Sequence, residues 1–154
     1  MALSVADMPA WLADQFGSTS VPFKEDLYFG KLSWTFNEAN LLELSFKKRE
    51  ELGVGNVGGQ SAASFGTDTG VDEDRYDLRW QYSSMDWLND AHLTWEDAYW
   101  SMAPVNFGNG YQLTDGSSNN GRLLFRTGAG DGGLQDKGQE GWSLQNDATY
   151  FGFA

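Results

Sequence analysis

Apolar and polar residues alternate with a period of two along much of the chain, the mark of strands whose two faces meet different surroundings. From Asp26 to Phe36, Tyr28, Leu32, Trp34 and Phe36 share one face with Gly30 between them. Lys31, Ser33 and Thr35 take the other face, and Phe29 is the exception. Asn37-Glu38-Ala39-Asn40 reads as a tight turn, because Asn accepts turn geometry and its side chain competes for backbone hydrogen bonds. Leu42, Leu44 and Phe46 then resume one face against Glu43, Ser45 and Lys47, so the two runs predict a hairpin.

Gly53 to Asp74 holds six glycines among Asn, Gln, Ser and Asp, which predicts a long loop. Arg75 to Ser84 alternates again, with Tyr76, Leu78, Trp80 and Tyr82 opposite Asp77, Arg79, Gln81 and Ser83. Its expected partner is Asp90 to Met102, where Ala91, Leu93, Trp95 and Tyr99 share a face that Asp97 and Trp100 blur. A second polar loop is predicted over 103–120, a short strand over 122–127, a Gly/Asp loop over 128–141 and a last strand over 141–153. Met8 to Phe16 can make one or two helical turns. The expectation is therefore all-β: an antiparallel meander of about six or more long strands over residues 26–154, after a poorly defined lead-in over 1–25.

Composition narrows the choices. Ten Lys plus Arg against 22 Asp plus Glu leave a net charge of -12, which repels a phosphate backbone and argues against a nucleic-acid partner. An aromatic content of 15% is too rich for a disordered acidic chain. The absence of cysteine removes disulfides and thiol metal sites from consideration. Residues 1–25 carry Asp7, Asp14, Lys24 and Glu25 and show no secretory-signal pattern, and no apolar run reaches the length of a spanning helix. A spanning β-barrel stays open.

Alternation fits two architectures. A soluble sandwich buries its apolar face, whereas a membrane barrel turns that face to lipid and its polar face to the lumen. Runs of roughly ten residues suit a tilted transmembrane strand, and soluble strands are usually about half as long. Tyr28, Trp34, Trp80, Tyr82, Trp95 and Tyr99 are expected to face lipid, as aromatic girdles do at the bilayer interfaces. A short connection at Asn37–Asn40 beside long ones at 53–74 and 103–120 matches short periplasmic turns and long outer loops. The rival expectation is a soluble secreted β-sandwich that binds carbohydrate through exposed Trp and Tyr.

The segments Asp26-Leu-Tyr-Phe-Gly-Lys-Leu-Ser-Trp34, Leu42-Glu-Leu-Ser-Phe-Lys-Lys-Arg-Glu-Glu51, Asp77-Leu-Arg-Trp-Gln-Tyr-Ser-Ser84, Leu88 to Trp100 and Asn146-Asp-Ala-Thr-Tyr-Phe-Gly152 resemble, in order and spacing, the barrel region of TonB-dependent outer-membrane receptors of the Oar-like branch. The resemblance implies a barrel of about 22 strands in the bacterial outer membrane. Such a barrel closes around a plug and takes up scarce ligands with energy passed through TonB. Its partners would be outer-membrane lipid, the rest of the barrel and the plug. No segment matches a plug or a TonB box, so no energy-coupling residue is carried onto this chain, which is expected to be a fragment of a longer barrel or a truncated gene.

Candidate chemistry is sparse. His92 alternates onto the polar side of its strand beside Thr94 and Glu96, and no Gly-x-Ser-x-Gly elbow accompanies it, so hydrolase work is not expected. Glu96 and Asp97 are adjacent and point to opposite faces, which does not suit a glycosidase pair. No enzyme activity and no cofactor are expected. Asp68, Asp72 and Asp74 offer hard oxygen ligands of the kind calcium prefers, and the Gly/Asp run ending at Asp136 repeats that chemistry once; solvated loop residues are the competing account. Trp100, Phe107 and Tyr111 are candidates to stack on a ligand at the second loop.

Overall fold

The computed structural model describes residues 10–15, 17–116, 121–130 and 133–152. One helical turn, Ala10–Ala13, is followed by seven strands. These are β1 (Phe23–Asn37), β2 (Asn40–Gly55), β3 (Thr67–Ser83), β4 (Trp87–Pro104), β5 (Gly110–Thr114), β6 (Leu123–Gly128) and β7 (Gln135–Tyr150). Five of them make one sheet in the order β1-β2-β3-β4-β7, and β5 pairs with β6 in a second. The all-β antiparallel meander expected from the alternation is what the chain forms.

The first turn shows why the chain reverses where it does. Asn37 Oδ1 accepts from the Ala39 N–H at 3.0 Å and from Asn40 Nδ2 at 2.9 Å, an Asx-type closure at a short connection. At the β3–β4 turn the Ser84 N–H donates to the Trp87 carbonyl at 2.7 Å, and the Ser84 hydroxyl accepts from the Trp87 N–H at 3.1 Å.

The strands outrun the sequence pattern. The expected loop over 53–74 shrinks, because β2 continues to Gly55 and β3 begins at Thr67, with a 3-10 turn at Ala63–Phe65 between them. The 103–120 loop surrenders Ala103 and Pro104 to β4 and 110–114 to β5, and β7 starts at Gln135 inside the expected Gly/Asp loop. The cause is common to all three places. A neighbouring strand holds in the ladder residues whose own propensity for strand is low, as where Gly110 of β5 pairs with Gly128 of β6. Of the expected turn over Met8 to Phe16, the helix at Ala10–Ala13 is seen; Met8, Pro9 and Phe16 lie outside the described residues.

The chain divides into two compact units. The loop unit (Met1–Lys24, Leu52–Gly70, Ser101–Asp136) holds the small β5–β6 sheet and buries Ala62, Phe65 and Phe125 with Thr67 and Thr127. There the Ser64 and Thr127 hydroxyls lie 2.9 Å apart, and the Gly128 N–H donates to Ser64 Oγ at 3.1 Å. The strand unit (Glu25–Glu51, Val71–Trp100, Lys137–Ala154) is built from the long strands, and its one buried residue among those described is Thr94. It is a single sheet without an apolar core of its own.

Candidate functional site: the exposed apolar face of the strand unit

Cross-strand contacts give the register. A Cβ on Gly30 would meet the Phe46 ring at 2.2 Å, and Ser33 Oγ donates to Glu43 Oε1 at 3.0 Å, which sets Leu32 beside Leu44. The Ser83 N–H donates to the Ala39 carbonyl at 2.8 Å, and Thr69 reaches Gly53, which sets Leu44 beside Leu78. Tyr76 and Trp95 stack at 5.6 Å and Ser84 bonds Trp87, which sets Leu78 beside Leu93. Trp87 and Tyr150 stack at 4.7 Å, Trp95 and Trp142 at 6.5 Å, and the Phe151 N–H donates to the Asp86 carbonyl at 2.8 Å, which sets Leu93 beside Leu144. Five leucines, one from each strand, thus form one row across the sheet.

This row is open. Leu32, Leu44, Leu78, Leu93 and Leu144 are between 38% and 77% exposed, although leucine ordinarily hides its side chain. Aromatic residues flank it on both sides. Toward the far end of the strands lie Phe46 over Gly30, then Tyr76, Trp95 and Trp142. Toward the short turns lie Trp34 with Phe36 at 5.5 Å, Trp80 with Tyr82 at 6.5 Å, and Trp87 with Tyr150. Trp80 Nε1–H donates to Asn40 Oδ1 at 3.0 Å, so an indole at this end carries its polar edge toward the turn.

Beyond the far aromatic row the same face turns ionic. Lys48 Nζ sits 3.0 Å from Glu50 Oε1, 3.7 Å from Asp72 Oδ1 and 3.9 Å from Asp74 Oδ2, and the alternation brings Asp97 of β4 and Glu140 of β7 onto this side. An ionic row therefore crosses this face, and Tyr28, Leu52 and Tyr99, exposed and of the same parity, lie at or beyond it. From Trp95 to Trp87 the apolar zone on the near side of that row covers eight residue steps, about 27 Å of strand.

The opposite face is a connected polar lattice. Lys31 Nζ pairs with Glu43 Oε1 at 2.7 Å, and Arg79 Nη1 reaches Glu43 Oε2 at 3.1 Å. Arg79 Nε donates to Asp90 Oδ1 at 2.8 Å, and its Nη2 holds the second oxygen of the same carboxylate. His92 Nε2 lies 3.2 Å from Asp90 Oδ1 and its Nδ1 3.4 Å from Asp77 Oδ1, while Thr94 Oγ1 donates to Asp77 Oδ2 at 2.6 Å. The chain of contacts crosses four strands. His92 is a member of this lattice, on the polar side where alternation puts it.

Of the six aromatic residues read as outward-facing, Trp34 is 66% exposed and Tyr28, Trp80 and Tyr99 are exposed as well, while Tyr82 and Trp95 are half-covered by ring neighbours. Asp68, Asp72 and Asp74 lie on β3 and not in a loop, and Asp72 and Asp74 face the Lys48 ammonium. Among the described residues no group of three or more His, Asp or Glu is arranged to hold a metal ion. Trp100 belongs to the strand unit, where Lys137 Nζ lies 5.4 Å over its ring. Phe107 and Tyr111, both exposed, belong to the loop unit and line two hollows that share Gly108, Ala129 and Gly130.

The leucine row is what sequence reasoning did not find. Alternation puts Leu32, Leu44, Leu78 and Leu93 each on the apolar side of its own strand; side-by-side placement needs the register, which no single run contains. No protein-family model, no curated protein and no solved structure matches this chain.

Proposed function

We propose that the chain is part of the wall of an outer-membrane β-barrel of the TonB-dependent receptor kind, working in ligand uptake across that membrane. The observation that carries the reading is the open leucine row between two aromatic rows, bordered by Lys48, Glu50, Asp72 and Asp74. In water such a surface is costly, at about 25 cal/mol for each Å² of apolar area left wet. Acyl chains remove that cost, and ring edges at either border suit the headgroup level. The lattice on the other face suits a water-filled lumen, where charge is solvated. The resemblance of the strand segments to the receptor family supplies the transport part of the proposal.

The sheet's edges add to this reading. Four antiparallel steps separate β1 from β7, so the two edge strands run in the same direction. Joining them directly would make a parallel pair, which bacterial outer-membrane barrels, with their even strand counts, do not use. Closure therefore takes an odd number of additional strands, supplied by the rest of the barrel.

The test is quenching of the tryptophans by lipid brominated on its acyl chains. With the protein reconstituted in such vesicles, emission falls by about half or more relative to unlabelled lipid. Unchanged emission, with a protein that stays monodisperse in plain buffer, overturns the membrane reading in favour of a soluble sandwich whose second layer covers the leucines.

A further inference from the structure

The small β5–β6 sheet has one occupied edge and one open edge. Gln112 lies opposite Arg126, and Gly110 opposite Gly128. The Arg126 N–H donates to the Gln60 carbonyl at 2.8 Å, and the Arg126 carbonyl accepts from the Ala62 N–H at 3.0 Å. Both main-chain groups of Arg126 therefore point away from β5. Residues directly opposite in an antiparallel pair exchange both bonds or neither, so Gln112 turns its own N–H and carbonyl away from β6, toward the outer edge. Gly110 shares that parity, and the bond from the Gly128 N–H to Ser64 Oγ agrees with it. All five residues of β5 are exposed, and among the described residues no further strand pairs with it.

Beside this edge lies a hollow of about 290 Å³ lined by Phe65, Tyr111, Gln112, Gly110 and Gly130, with no charged side chain in its wall. Glycine is required at 110, where a Cβ would sit 2.3 Å from the Ala129 carbonyl oxygen; at 130 a Cβ would be a tight fit, 3.1 Å from that of Phe65. Alternate main-chain donors and acceptors beside an uncharged hollow of mixed polar and apolar lining are what strand addition uses, the ladder supplying affinity and the hollow selecting a side chain.

We propose that the β5 edge binds an extended peptide segment as an added strand, seating one large apolar side chain of the peptide in the hollow. The loop unit's segments carry six Asp against Lys24, Arg122 and Arg126, a net charge of -3, which favours a peptide of net positive charge over an acidic one. This goes beyond the membrane reading and rests only on the loop unit's own hairpin, so either can fail without the other.

The experiment uses the full chain in detergent micelles and a synthetic peptide of alternating threonine and valine with a central phenylalanine and a lysine at each end. Saturating peptide is expected to slow amide exchange at Gln112 by about tenfold or more. Gln112→Pro deletes the outward N–H without touching the β5–β6 ladder, since edge strands admit proline where the N–H faces out, and is expected to weaken binding by about tenfold. Gln112→Ala keeps the N–H and is expected to bind within about twofold of the parent. A version of the peptide with glutamate in place of lysine binds more weakly. Unchanged exchange at Gln112 under saturating peptide, equal affinity of Gln112→Pro and the parent, or equal losses in both variants would each overturn the proposal.

Discussion

Gly30 and Arg79 illustrate two ways in which one residue supports a sheet that has no core beneath it. Gly30 leaves room for the Phe46 ring to lie across the neighbouring strand, and a Cβ there would meet that ring at 2.2 Å. Gly30→Ala is expected to displace the ring and lower stability by about 1 kcal/mol, read by denaturant unfolding in detergent. Arg79 bridges Glu43 and Asp90 and offsets their mutual repulsion, with 3.1 Å and 2.8 Å bonds to the two carboxylates. Arg79→Met leaves those acids facing each other with the Lys31 ammonium as the remaining cation, beside Glu43. A loss of about 2 kcal/mol is expected, and Asp90→Asn in the same protein should restore part of it.

At the level of strands, the two faces are chemically opposite and should respond oppositely to the same change. Leu78 lies in the middle of the leucine row on β3, between Leu44 and Leu93, and Gln81 lies on the other side of the same strand. Leu78→Lys is expected to cost about 2 to 4 kcal/mol in bilayers, the penalty of a cation near the membrane midplane. Gln81→Lys, facing the lattice side, is expected to stay within about 0.5 kcal/mol. The measurement is unfolding of the reconstituted protein by urea. A Leu78→Lys protein as stable as its parent would mean that the row meets water.

On the scale of the whole chain, the strand unit is one layer with edges at β1 and β7. Lipid satisfies no backbone N–H or carbonyl, so an open sheet in a bilayer is not a finished object. Cysteines at Ser33 on β1 and Ser143 on β7 test this directly, both being on the polar parity of their strands. The monomer is expected to form no disulfide between them, because β1 and β7 need intervening strands to meet antiparallel. Rapid intramolecular crosslinking in micelles would show that the five strands close on themselves.

Alternation alone determined which residues share a side on each long strand, since a strand's side chains repeat every two residues whatever surrounds it. That made the all-β class, the hairpin at Asn37–Asn40, the shared side of the strand aromatics and the polar placement of His92 legible in the chain. The true lengths of β2, β3 and β7, the small β5–β6 sheet and the placement of Asp72 and Asp74 beside Lys48 were decided by tertiary pairing. Ladder bonds from a neighbour hold Gly and Asp in strands that their own preferences would not choose. The leucine row has the same origin. Each leucine is local, but its neighbours lie one strand away, and only the register between strands brings the five together.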